Sequence, residues 1–246
     1  MASTLTGTRL TEAHRLAQIA LSKKTVKDFL AVWRLLDAEA LNASFPAYAR
    51  AARLVIDANR AKSGALSQAY LDAFRRAEGV TVPLTAARAA ELAEAQALTS
   101  LTVTGPVTVY RGLRAGRPIE SAMRDALVAS TKAVIRHTLD GGRSTIERTV
   151  QRDTAAYGAA RVTDGKPCHF CAFLSSRGAV YKSEMSAIFK PHDACGCTAE
   201  PVYEGTDYLA PGRSREFSEI GYEITKSDRQ TKNPTLTAFR RAYEGR

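Results

Sequence analysis

All four cysteines of this 246-residue chain lie between Cys168 and Cys197, and one of its four histidines, His192, lies three residues before Cys195. The pattern is Cys168-x2-Cys171, a gap of twenty residues, then His192-x2-Cys195-x-Cys197. Two short clusters of thiol and imidazole donors separated by one loop can wrap a tetrahedral zinc ion, because each cluster supplies donors from a single turn. The flanking residues favour such turns: Gly165-Lys166-Pro167 precedes the first cluster, Pro191 precedes the second, and Gly196 lies inside it. Five donors compete for four places. Cys168 and Cys171 form the firmest pair, and two of His192, Cys195 and Cys197 complete the shell. The fifth is then a neighbouring group, a thiol outside the shell, or a reactive residue. Two disulfides are the competing arrangement, since four cysteines allow three pairings. The N-terminal stretch MASTLTGTRLTEAHRL has no apolar core of a secretory signal. A reducing compartment is therefore expected, where such clusters are more often metal or redox centres.

Other chemistry is less well supplied. A cysteine protease needs a thiolate beside an imidazole. His192 with Cys195 or Cys197 is the local candidate, and metal binding would occupy both. A zinc hydrolase needs three ligands, an open position and a carboxylate base. No H-E-x-x-H is present, and although Glu184 and Asp193 could serve as bases, nothing in the sequence singles them out. A serine triad would draw on Ser175 or Ser176, His192, and Asp164 or Asp193, but there is no G-x-S-x-G. Val109-Tyr110-Arg111-Gly112 resembles the arginine-bearing first strand of ADP-ribosyltransferases, without the later Ser-Thr-Ser and Glu-x-Glu elements. An arginine holding a neighbouring carboxylate is the stronger reading of Arg111.

The elements that must position these residues follow from periodicity. Apolar residues at helical spacing predict a helix over 8–37, with Thr25 capping its second part, and another over 44–78 with Pro46 in the first turn. Lys62-Ser63-Gly64 reads as a break in the second helix. Pro83 to Leu98, rich in Ala, Glu and Leu, predicts a third helix capped by Thr85. Leu101, Val103, Val107, Val109 and Tyr110 around Gly105-Pro106 predict a hairpin or loop. A helix over 119–139 is expected to end at Asp140-Gly141-Gly142, with Ser144 and Glu147 opening the next. From Ala159 the chain turns to short strands near Val180-Tyr181 and 199–203, a short helix over 171–174, a loop over 204–215, and a last helix near 234–243.

The expected fold class is mostly α: an extended helical N-terminal region followed by a small α+β, turn-rich module stapled by the cysteines and histidine. The divisions are residues 1–150, 151–210 and a charged tail over 211–246. About sixty residues build a core of their own with difficulty, and a shared metal would convert binding energy into folding energy. With 45% hydrophobic residues the chain is ordinary for a globular protein, and no run of eighteen apolar residues exists to span a membrane. The net charge of +10 suggests an anionic neighbour. The basic residues are scattered, as at Lys23-Lys24, Arg75-Arg76 and Arg240-Arg241, with no aromatic stacking platform, so any DNA contact would be loose and non-specific.

Several motifs occur in a fixed order. Asp140-Gly141-Gly142-Arg143 is followed by Val150-x2-Asp153 and by Arg161-Val-Thr-Asp-Gly-Lys-Pro-Cys168-x2-Cys171. Ser176-Arg177-Gly178-x2-Tyr181 and His192-Asp193-x-Cys195-Gly196-Cys197 come next. This series resembles the MuF-like minor head proteins of actinobacterial tailed phages, often labelled capsid maturation proteases. The resemblance covers roughly residues 120–203. It implies a virion protein of the phage head, assembled in the host cytoplasm. Its partners would be the portal and the major capsid or scaffold proteins, it would lie close to packaged DNA, and some such proteins enter the host with that DNA. The helical first part would dock on portal or scaffold. A capsid maturation protease is the alternative that the resemblance implies. Arg143, Asp153, Arg161 and Asp164 would brace the cysteine module by charge-assisted hydrogen bonds.

Overall fold

Helix α1 runs from Leu5 to Trp33, and its buried positions, Gly7, Thr11, His14, Gln18, Leu21, Thr25 and Phe29, recur every three or four residues. Thr4 caps it by accepting a hydrogen bond from Gly7 N at 2.9 Å. In the computed structural model the described residues are 2–163, 165, 167–178, 191–203, 213–227 and 235–245, the side chains of 213–215, 225 and 227 excepted. Thr25 caps nothing: it is buried inside α1 and its hydroxyl donates to Leu21 O at 2.9 Å.

Helix α2 spans Leu41–Ala77 and helix α5 spans Ile119–Arg152, and both pass straight through stretches that read as breaks. Gly64 sits against Gly141 and Thr145, and a Cβ on Gly141 would stand 2.2 Å from Arg60 O. A Cβ on Gly142 would meet the hydroxyls of Ser63 and Ser67 at 2.7 and 2.6 Å. The glycines thus let the two helices cross at close range and do not end either one. Ser63 Oγ accepts from Gly142 N at 3.0 Å and donates to Gln18 Oε1 at 2.8 Å, which brings α1 to the same crossing. Ser144 and Glu147 lie within α5, so no second helix opens there.

Between α2 and the next helix, residues 81–93 form a strap without regular secondary structure, and of the helix expected over 83–98 only residues 94–98 are helical, so Thr85 caps nothing. Its main chain is held by side chains: Thr149 and Thr145 accept from Ala87 N and Ala89 N at 2.9 and 3.1 Å. Arg60 and Arg53 donate to Ala90 O and Leu92 O at 3.0 and 2.7 Å. Helical propensity in this Ala-rich stretch yields to these contacts. The β-prone stretch after it is also helical: α3 spans Glu94–Thr104 and α4 spans Pro106–Arg114, with the break at Gly105 and Pro106 at the first helical position. Leu101 and Val109 are buried with Phe29, Tyr48, Ile56 and Ala126 in one core, and that burial overrides their strand preference.

The second part is small and mixed. Strands β1 (Gly158–Val162) and β2 (Thr198–Val202) pair antiparallel, with Arg161 opposite Ala199. Helix α6 covers His169–Ser175, and α7 (Arg213–Ser227) and α8 (Leu236–Glu244) pack on it. Residues 213–227 read from sequence as loop and weakly patterned tail, yet Phe217 and Ile220 of α7 bury against Ala172 and Phe239. The expected strand at Val180-Tyr181 and the expected loop over 204–212 lie outside the described residues. A second core unites both parts: Tyr70, Leu71 and Phe74 of α2, Ile146 and Val150 of α5, and Cys171, Cys195 and Cys197 share it. The fold is therefore mostly α, a helical N-terminal region followed by a small α+β, cysteine-bearing module. No helix among the described residues is long and apolar enough to cross a membrane.

Candidate metal centre

Cys168 is the residue before α6, in extended conformation, and Cys171 lies in the first turn of that helix. The second cluster is a tight turn in which Cys195 N donates to His192 O at 3.0 Å. Ala194 takes φ 63° inside it, a left-handed conformation that a non-glycine residue adopts only when held there. One stripe of α5 does the holding. Arg136 Nε pairs with Asp193 at 2.6 Å, and Lys132 O accepts from Ala194 N at 3.3 Å. Arg143 Nε donates to Cys197 O at 2.9 Å, and its other arms donate to Cys195 O and to Asp140. Arg143 is 3% exposed, so these bonds form away from solvent.

The two clusters meet. His192 Nε2 lies 3.0 Å from Cys168 Sγ and 3.3 Å from Cys171 Sγ. Cys171 Sγ lies 3.6 Å from Cys195 Sγ. Two three-donor sets result, Cys168–Cys171–His192 at the surface and Cys171–Cys195–Cys197 buried, with Cys171 common to both. All four cysteines are free thiols. His192 Nδ1 contacts Asp193 O at 2.8 Å, and since a carbonyl only accepts, Nδ1 carries the proton. A neutral ring then offers its Nε2 lone pair to the sulfurs, the orientation a metal-ligating imidazole needs.

Charge is arranged for thiolates. Arg161, 1% exposed on β1, places NH1 3.8 Å from Cys171 Sγ and 3.9 Å from Cys195 Sγ. Hydrogen bonds from Cys171 and then Cys197, with Arg143 nearby, hold the Cys195 thiol far below its ordinary range. Cys171 is pushed up in return, chiefly because its proton is shared with Cys195. One negative charge is thus already favoured within the sulfur cluster, and a cation among the sulfurs would favour the rest. Sulfur and imidazole donors in such an arrangement could hold a metal ion and suit a borderline or soft one.

The alternative catalytic groups are committed elsewhere. Ser175 Oγ donates to Arg161 O at 3.0 Å and Ser176 Oγ to Phe173 O at 2.7 Å. Asp193 is paired with Arg136, while Asp164 and Glu184 lie outside the described residues. Arg111 stands in the last turn of α4, not at a strand end, which removes the transferase likeness. Asp153 braces the module by pairing with Arg75 of α2. The α5 residues Lys132 and Arg136 carry no sequence signal for their role. Their spacing from Arg143 on one helical face becomes visible only once α5 is known to be unbroken.

A helical bundle with a Cys/His cluster clasped to one long helix is the class of protein these features define. A family model described as VG15 protein matches residues 6–222, and the chain belongs to that family. The family points to a phage or other viral protein. Comparison with curated proteins and with solved structures returned no match.

Proposed function

We propose that this chain is a minor head protein of a tailed phage, acting at the portal and procapsid interior, with a structural zinc ion bound by four of Cys168, Cys171, His192, Cys195 and Cys197. The observation that carries the metal reading is the convergence of both clusters on Cys171. Zinc bound to sulfur at about 2.3 Å sets neighbouring sulfurs of a tetrahedron about 3.8 Å apart. The Cys171–Cys195 distance of 3.6 Å is close to that edge and far from a disulfide bond of about 2 Å. The head reading is supported by the viral family and by the motif order in residues 120–203. The net charge of +10 suits non-specific contact with packaged DNA.

The test is co-expression with the portal and major capsid proteins of the same phage, followed by isolation of heads. Recovery of the chain in heads at a fixed ratio to portal is expected, and its absence from heads that still contain portal would overturn the assignment. A second reading is a capsid maturation protease. It is favoured by one contact, the surface thiol of Cys168 3.0 Å from His192 Nε2, which is also nucleophile-to-base geometry. Intact mass of the capsid protein separates the two. A specific cleavage lost in a folded His192→Ala variant supports the protease, and unchanged mass supports the structural role.

A further inference from the structure

The four thiols are graded in depth. Cys168 is exposed, whereas Cys171, Cys195 and Cys197 are each 1% exposed. Cys168 Sγ lies within 4.8 Å of Cys171 Sγ, and Cys171 Sγ lies 3.6 Å from Cys195 Sγ. A path of sulfur atoms therefore leads from solvent to the interior, with Cys171 in the middle. A disulfide bond is about 2 Å long, so the buried pair closes on an approach of about 1.5 Å. Arg161 NH1, 3.8 Å from Cys171 Sγ and 3.9 Å from Cys195 Sγ, sets a buried cation beside that pair. A cation there favours both the thiolate that attacks and the thiolate that leaves in an exchange. An oxidant too large to enter the core meets Cys168 alone among the four.

We infer that Cys168 is the entry point of a thiol–disulfide relay that takes up a small-molecule disulfide from solvent and closes a buried Cys171–Cys195 bond. The Cys168 sulfur attacks the external disulfide, one thiol leaves with the Cys168 proton, and a mixed disulfide remains on Cys168. Cys171 attacks the Cys168 sulfur, and the second external thiol leaves with the Cys171 proton. Cys195 then attacks the Cys171 sulfur, and Cys168 departs as a thiol carrying the Cys195 proton. Two cysteines are oxidised and one external disulfide is reduced to two thiols. Cys171 belongs to both three-donor sets, so its oxidation takes a donor from each and releases a bound cation. That consequence rests on the zinc reading, and its occasion rests on the head reading: a particle leaves a reducing cytoplasm for an oxidising exterior. The exchange itself rests on the sulfur geometry alone.

The probe is oxidised glutathione, added to the full chain in the absence of oxygen. Samples quenched in acid are digested with pepsin without reduction, linked peptides are assigned by mass, and zinc is measured separately in the filtrate. Glutathione is expected first on Cys168, followed by one Cys171–Cys195 link per chain, with zinc released in step. Cys168→Ser is expected to slow the link at least tenfold without changing its position. The time course of the parent decides even where that variant fails to fold. The relay is overturned by no link, by a final link at Cys168–Cys171 or Cys195–Cys197, or by glutathione appearing first on a buried cysteine. An undiminished rate in folded Cys168→Ser overturns it as well. Zinc retained after the link has formed would overturn the control of the metal. A chain that never held zinc would overturn the metal reading, while the disulfide map still decides the relay.

Discussion

Replacing Cys171 by serine removes a donor from both three-donor sets at once, whereas Cys168→Ser and Cys197→Ser each touch only one. Elemental analysis of the purified variants is expected to find about one zinc per parent chain, none on Cys171→Ser, and partial loading on the other two. Equal loading of all three would detach the metal from Cys171. Arg143→Ala leaves the carbonyls of Cys195 and Cys197 without their buried donor, and a loss of about 2–4 kcal/mol is expected from urea unfolding. An unchanged midpoint would show that Arg143 does not brace the turn. His14 and His137 supply a pH effect. Burial alone lowers His14 to about 4, and burial, then Arg136 and Arg60, lower His137 to about 4. Both folded values lie below the unfolded value of about 6.5, so the unfolded chain takes up protons that the folded chain refuses. Stability is complete above about pH 6.5 and is lost as pH falls towards 4, by up to about 3 kcal/mol for each histidine. His14→Gln is expected to lessen the difference between urea midpoints at pH 7.5 and 4.5. The cysteine and histidine spacing was legible in sequence because close-spaced donors need only a local turn. The roles of Lys132 and Arg136 were not, because they depend on the path of a distant helix.

At the scale of elements, two glycine-bearing stretches that read as separate breaks turn out to be the two halves of one contact. Glycine signals a turn when nothing packs against it, and close helix approach when something does. A sequence window holds only one of the two helices, so it cannot tell these apart. The distinction is testable. Gly141→Val forces a side chain onto Arg60 O and is expected to cost about 3 kcal/mol or more. Gly64→Ala places its Cβ 3.4 Å from Thr145 Oγ1, an ordinary contact, and gains helix propensity, so a change between zero and about 1 kcal/mol of stabilisation is expected. Thermal unfolding of the pair decides, and similar losses for both would argue against the close crossing. The strap and the α3–α4 pair were misread for a related reason. Local propensity is worth tenths of a kcal/mol per residue, and burial of Leu101 or Val109 is worth several times that.

For the whole molecule, the cysteines share a core with α2 and α5, so the metal centre and the bundle are expected to unfold together. Chelation is predicted to lower the melting temperature of a single transition seen equally by far-ultraviolet circular dichroism and by fluorescence of Trp33. Loss of a small early transition, with the bundle unaffected, would mean that the module folds on its own. The mostly helical class and the location of the mixed module were readable from periodicity and from the cysteines. The covering of α6 by α7 and α8 was not, because the anchors Phe217, Ile220 and Phe239 are few and lie among charged residues.

Helices α2 and α5 grip the strap by its backbone, and that grip is indifferent to what the strap displays. Positions 85, 88, 90 and 91 face solvent, so natural variants can change identity there freely while the path of the chain stays fixed. Proline is refused at 87 and 89, where the amide hydrogens given to Thr149 and Thr145 would vanish.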